Sequence, residues 1–182
     1  DVSGAGVDGF RLAAITLAGA RIDEVQAAEA GAHGGGIERG RCGGAERRAA
    51  LVGAARTQGL PIVEDNPYGD LWFDAAPPAP LASLWPEGTI YLGSFSKVLA
   101  PGLRLGYVIA PKPVFPKLLQ AKQAADLHTP GFNQRVVYEV IRDGFLRDHV
   151  PTIRARYKVQ RDAMRTALER HMPPGCRWNA PS

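Results

Sequence analysis

Four side chains with chemical capability crowd into the stretch YLGSFSKVLAPGLRLGY, residues 91–107: Ser94, Ser96, Lys97 and Arg104. A strand that only filled a core would not need two hydroxyls, an amine and a guanidinium so close together. A lysine at a strand end beside apolar walls is expected to be partly desolvated, which raises the fraction of neutral amine. A neutral amine can attack an aldehyde. The serines offer hydroxyl donors, and Arg104 offers a planar fork suited to phosphate oxygens. The Ala-Pro-Gly at 100–102 is a turn signal that would bring Arg104 back towards the serines.

A second cluster, Glu64, Asp65, Asn66, Pro67, Tyr68 and Gly69, also follows an apolar run. Asp65 supplies a carboxylate able to keep a pyridine nitrogen protonated, and Tyr68 can reach a phenolate oxygen on the same ring. Together the two clusters describe a site for pyridoxal 5'-phosphate, in which an acid partner to the ring nitrogen makes the cofactor an electron sink. Plainer readings stand beside this one. Lys97 alone would be a surface lysine, the serines could be turn residues, and Asp-Asn-Pro suits the start of a helix or turn. Trp72 and Trp85 read as core or loop packing. His128 and Asn133 suggest no role.

Both clusters need strands to deliver them. LPIVEDN, TIYLGSF and LRLGYVIAP read as three short buried strands, and in open α/β sheets ligands bind at the carboxyl ends of strands. AERRAALVGAARTQG reads as a helix stopped by Gly59, and VFPKLLQAKQAAD as another with Pro116 in its first turn. NQRVVYEVIRDGFL reads as a third, and PPAPLASLWPEG as a proline-rich loop. Over 146–172, Leu146, Val150, Ile153, Tyr157, Met164, Leu168 and Met172 recur at helical spacing, with Pro151 near the start. The other face of that helix, with Arg154, Arg156, Lys158, Arg161 and Arg165, reads as solvated. Helices alternating with buried strands predict an α/β class with a largely parallel sheet.

At 182 residues, 45% of them apolar and 22% charged, the chain has the composition of a soluble globular protein. No apolar run approaches a membrane span, and nothing at the N-terminus resembles a signal peptide. A net charge of +4 is too diffuse to indicate nucleic acid. Cys42 and Cys176 lack metal-ligand spacing and read as free thiols, which suits a cytoplasmic protein. Residues 1–44 differ in texture: they hold 11 of the 21 glycines and no lysine. Little regular structure is expected there. GAGVDG at 4–9 matches the form GxGxxG but has no strand before it, so it reads as a flexible segment.

VEDNPYGDLWF and GSFSKVLAPGLRLGY resemble the two signature segments of fold-type I pyridoxal-phosphate aminotransferases, in particular the 2-aminoadipate and aromatic aminotransferase group. The resemblance runs from about Ala45 to Ser182. It implies a three-layer α/β/α large domain with a mostly parallel sheet, carried here by 45–150, with the linking helix and the start of a small domain in 151–182. By motif, Lys97 would take the cofactor's aldehyde and act as the catalytic base, and Asp65 would partner the pyridine nitrogen. Tyr68 would bond the ring hydroxyl, and Ser94, Ser96 and Arg104 would hold the phosphate. The implied substrates are an amino acid and a 2-oxo acid, the implied assembly is a homodimer, and no metal is required. Two further readings stay open: the aminotransferase-like effector domain of a GntR-type transcription regulator, and an inactive fragment. Such regulators usually read Asp-Asp-Tyr-Asp where this chain has EDNPYGD, and they carry an N-terminal winged helix.

The family pattern also includes an upstream glycine- and serine-rich phosphate loop, an Asn-Pro-Thr-Gly segment, an aromatic residue that stacks on the ring, and a small-domain arginine for the substrate carboxylate. GGGIERGRCGG stands where Asn-Pro-Thr-Gly is expected. The reading is therefore of a partial gene product in which residues 1–44 are translated out of frame. Reading the parent DNA in its other two frames should reveal Asn-Pro-Thr-Gly upstream of Ala45, and its absence from every frame would refute this origin.

Overall fold

A computed structural model describes residues 10–13 and 44–179. Along the chain it contains β1 (Phe10–Ala13), α1 (Ala45–Gln58), β2 (Ile62–Asp65), α2 (Leu81–Leu84) and β3 (Thr89–Ser94). There follow α3 (Phe95–Val98), a 3-10 turn (Pro101–Leu103), β4 (Gly106–Pro111), α4 (Phe115–Asp126), α5 (Gly131–Ile141) and α6 (Phe145–His171). The architecture is α/β, and the apolar runs and helical periodicities of the sequence account for β2, β3, β4, α1, α4, α5 and α6. Gly59 ends α1 in the left-handed conformation, with Leu60 N–H donating to the Ala55 carbonyl at 3.0 Å, the arrangement a glycine stop signal promises. Pro116 sits in the first turn of α4. The proline-rich loop differs from expectation, because the single turn α2 forms behind Pro80.

The four strands are ordered β1-β4-β3-β2. β2 and β3 run parallel, pairing Ile62 with Thr89 and Asp65 with Leu92. β1 pairs antiparallel with β4, Phe10 opposite Pro111 and Ala13 opposite Val108, so the sheet is mixed. β1 lies in the segment where little regular structure is expected. It adds to the edge of β4, whose backbone groups offer a ready ladder. The GxGxxG-like match and Cys42 fall outside the described residues.

The chain divides into two compact units. Among the described residues, one comprises those up to Asp65 with 78–93 and 106–129; the other comprises 66–77, 94–105 and 130–179. In the first, side chains alternate across the sheet. Ile90 and Leu92 of β3 pack with buried Val108 and Ala110 of β4 and with Leu118 of α4. Tyr91 and Tyr107 stack with ring centroids 6.3 Å apart. Gly93 is required here, because a Cβ would lie 2.2 Å from the Tyr107 ring. Glu64, grouped in sequence with the chemical residues of its strand end, is a structural clamp instead. It is only 8% exposed and accepts from Arg48 of α1 and from the Ala82 N–H of α2, each at 3.1 Å.

The second unit buries Val98, Leu105, Val137 and Val150. Its dominant polar feature corrects the reading of the α6 basic face as solvated for Arg154, Lys158 and Arg161, while Arg156 is exposed as expected. Arg154, Lys158 and Arg161 lie on one side of the helix at i, i+4 and i+7, and all three grip the segment Asp70–Asp74. Arg154 Nε donates to the Asp70 carbonyl at 2.5 Å, and its guanidinium lies 4.0 Å from the Trp72 ring centroid. Arg161 donates to both Asp74 carboxylate oxygens, at 2.7 and 3.2 Å, and covers the Phe73 ring. Lys158 pairs with the same carboxylate. Trp72 is thus a loop-packing residue, as its setting in the sequence suggests.

Two consequences can be measured. Arg48→Met leaves the Glu64 carboxylate buried with one backbone donor. It should cost about 2–4 kcal/mol in urea unfolding, and a loss below about 0.5 kcal/mol would put the pair among ordinary surface ion pairs. Asp74 is held well below the usual carboxylate range, first by the Arg161 hydrogen bond and then by that of Lys158. Its folded pKa is therefore depressed, so its contribution is complete above the unfolded carboxyl value, about 3.9. The contribution is lost as pH falls from there towards the folded value, because the unfolded chain takes up the proton first. The urea midpoint should fall more steeply between about pH 5 and 3 in the wild type than in Asp74→Asn; parallel curves would rule out a stabilising clasp.

Candidate cofactor site

β3 delivers its last residue, Ser94, directly into α3. Ser94 has an extended backbone and caps that single turn, its Oγ accepting from the Ser96 N–H at 3.1 Å. The cap uses a lone pair and leaves the hydroxyl proton free to donate, so a turn role and a binding role are compatible. Leu99 and Ala100 both donate to the Phe95 carbonyl, at 2.9 and 3.1 Å. Pro101 then opens the 3-10 turn, and Arg104 follows in the left-handed region at φ 50°, ψ 42°. Finally, the Phe95 N–H donates to the Leu105 carbonyl at 3.0 Å. That bond closes the segment on itself, with Ser94 preceding its donor residue and Arg104 preceding its acceptor residue.

Lys97 departs from one expectation. It is exposed rather than buried among apolar walls, and its Nζ lies 5.4 Å from the Tyr68 ring centroid. Tyr68 is 59% exposed and sits in the turn at 67–70, which folds around the Asn66 side chain. A Cβ on Gly69 would come within 2.4 Å of that side chain, and Leu71 N–H donates to the Tyr68 carbonyl at 2.8 Å. The α6 cations hold the same segment from Asp70 to Asp74. Asp65 belongs to the other unit, where it ends β2 as an exposed residue in register with Leu92. No helix follows it, which sets the helix N-cap reading aside and leaves the turn.

The second unit thus brings together Ser94, Ser96, Lys97, Arg104 and Tyr68. No carboxylate occurs in sequence between Glu87 and Asp126, so the charges that the 94–105 segment itself contributes, Lys97 and Arg104, are both positive. That donor set fits a phosphorylated aldehyde: an accessible amine, two hydroxyls, a guanidinium fork and a phenol. Asn133, given no role by the sequence, also enters here. Its Nδ2 donates to the Leu103 carbonyl at 3.0 Å. The available signal is its place in the first turn of α5, where asparagine is a poor helix former.

Residues 45–180 match the family described as aminotransferase class I and II. An aromatic-amino-acid aminotransferase of Thermococcus litoralis is 44% identical over 75% of this chain and 33% of its own length. A 2-aminoadipate transaminase of Thermus thermophilus is 42% identical over 74% of this chain and 34% of its own. An uncharacterised helix-turn-helix transcriptional regulator of Bacillus subtilis is 37% identical over 75% of this chain and 28% of its own. Among solved structures, the Pyrococcus horikoshii kynurenine aminotransferase in complex with PMP superposes with a TM-score of 0.72. It is 41% identical and is covered over 34% of its length by 75% of this chain. The chain spans about a third of the length of the relatives it matches. With its two signature segments inside the matched region, the chain belongs to the class I and II aminotransferases.

Proposed function

We propose that residues 45–150 supply part of the cofactor-holding domain of a pyridoxal-phosphate aminotransferase that moves an amino group from an amino acid to a 2-oxo acid, with 151–182 as the linking helix and the start of its small domain. The observation that carries this is the self-closed 94–105 segment, which groups Ser94, Ser96, Lys97 and Arg104, with Tyr68 packed against the lysine. Bound there, the cofactor supplies an electron sink for the amino acid's α-carbon. The protein's part is positioning and proton transfer. Ser94, Ser96 and Arg104 grip the phosphate, which fixes the aldehyde's position relative to the Lys97 amine. Lys97 would hold the cofactor at its aldehyde carbon, and its amine would be the group that accepts the α-proton and returns it. The nearby Tyr68 ring attracts the ammonium form of Lys97 through its π-face, and its phenol is the donor for the ring hydroxyl. By the family resemblance, Asp65 would be the carboxylate that keeps the pyridine nitrogen protonated. The accompanying setting is a cytoplasmic homodimer.

Ligand sensing by an effector domain is the second reading, favoured by the regulator that matches the same three-quarters of the chain. The Asn-Pro-Tyr at 66–68 favours the enzyme. Titration with pyridoxal phosphate should give the visible absorbance of lysine-bound cofactor in the wild type and none in Lys97→Ala. Equal absorbance in both would remove Lys97 from its role, and none in either would leave an inactive fragment. An amino-donor assay on protein that binds the cofactor then separates transamination from sensing.

A further inference from the structure

Arg104 is an arginine in a backbone conformation that favours glycine, at φ 50°, and two carbonyls beside it are anchored from elsewhere. The hydrogen bonds inside its own turn are long: Leu103 N–H to the Ala100 carbonyl is 3.4 Å and Arg104 N–H to the Pro101 carbonyl is 3.3 Å. Both exceed the usual N–H···O range of 2.7–3.2 Å, so the turn holds its shape poorly by itself. The better-formed bonds come from outside it. Leu105 accepts from the Phe95 N–H at 3.0 Å, and Leu103 accepts from Asn133 Nδ2 at 3.0 Å. The Leu103 carbonyl shares a peptide plane with the Arg104 N–H, and the tilt of that plane is set by Leu103 ψ and Arg104 φ together. A donor fixed on α5 therefore restrains the peptide plane that enters Arg104, and with it the backbone from which the guanidinium extends.

We propose that Asn133 is a positioning residue for phosphate binding, acting through the Leu103 carbonyl on the backbone of Arg104. It touches the loop and not the ligand. This rests on the reading of Arg104 as a phosphate ligand, but the backbone claim can be tested without it. Asn133 sits within α5, which also contributes buried Val137, so the donor is mounted on a packed element rather than on a loop.

The test uses the full chain with Asn133→Ala and Asn133→Asp, the latter keeping the shape while removing the donor. Amide hydrogen exchange at Leu103, Arg104 and Leu105 should quicken by about 5- to 10-fold in both variants, the worth of one net hydrogen bond, with α4 unchanged. Affinity for pyridoxal phosphate, read from the absorbance of lysine-bound cofactor, should weaken about 5- to 10-fold in both. Affinity for pyridoxal, which has the aldehyde but no phosphate, should stay within about twofold. Unchanged exchange, or exchange altered only in the alanine variant, overturns the proposal, the latter by showing a packing effect. Equal weakening for pyridoxal phosphate and pyridoxal also overturns it. If the wild type binds neither aldehyde, the phosphate-site reading fails, and the phosphate-binding role of Asn133 fails with it; the exchange rates then still decide whether Asn133 orders the loop.

Discussion

The hydrogen bond from Phe95 N–H to the Leu105 carbonyl, 3.0 Å long, is the constraint on which the candidate site depends. Without it, Ser94 and Arg104 would be the ends of a free loop, and holding both at one phosphate would require closing that loop anew at each binding event. With it, the closure is part of the fold, secured by Val98 and Leu105, which are 7% and 3% exposed. The loop's polar residues are thereby arranged before any ligand arrives, which is how preorganised donors differ from a patch of surface charge.

The same economy recurs at three of the predicted site residues. Asp65, Lys97 and Arg104 are exposed, while the residue adjoining each one in sequence is buried: Glu64 in its clamp with Arg48, Val98, and Leu105. A reactive side chain has to be accessible, which removes the packing that would otherwise fix its backbone. Seating the adjacent residue restores that fixity at the shortest possible distance. Tyr68 is handled differently, because its neighbours form a turn. There the anchoring is passed to Asp70 and Asp74, which reach α6.

How much of this was legible in the sequence follows from the range of each interaction. β2, β3, β4 and the longer helices could be read because hydrophobic periodicity and stop signals such as Gly59 are local. The loop at 94–105 could be read because its chemistry is contiguous. What escaped was every partner distant in sequence. Glu64 looks like a site acid until Arg48 is brought to it from 16 residues away. The basic face of α6 looks solvated until Asp74, 87 residues before Arg161, lies against it. Asn133 is silent until the Leu103 carbonyl, 30 residues earlier, is found beside it. Residue type limits what a side chain can bond, but only the tertiary fold says whether a partner is present. The expected desolvation of Lys97 failed for the same reason, since exposure is decided by distant parts of the chain.

Arg104 shows why a strained residue can be the economical choice. A left-handed conformation costs a non-glycine residue about 1 kcal/mol or more, and glycine at 104 would relieve it. Glycine would also remove the guanidinium, and moving the arginine one position along would take it out of the bend that returns the chain to Ser94. On the proposed phosphate role the position needs both a left-handed backbone and a charged fork, and no residue is favourable for both. The conflict is resolved by leaving the strain in place and fixing the surrounding carbonyls. Leu105 binds the Phe95 N–H and Leu103 binds Asn133, so relaxation to an ordinary φ would break bonds of about the same total worth as the strain relieved. Strain at this residue is thus held by the hydrogen bonds of its neighbours, which fix the backbone from which the guanidinium extends.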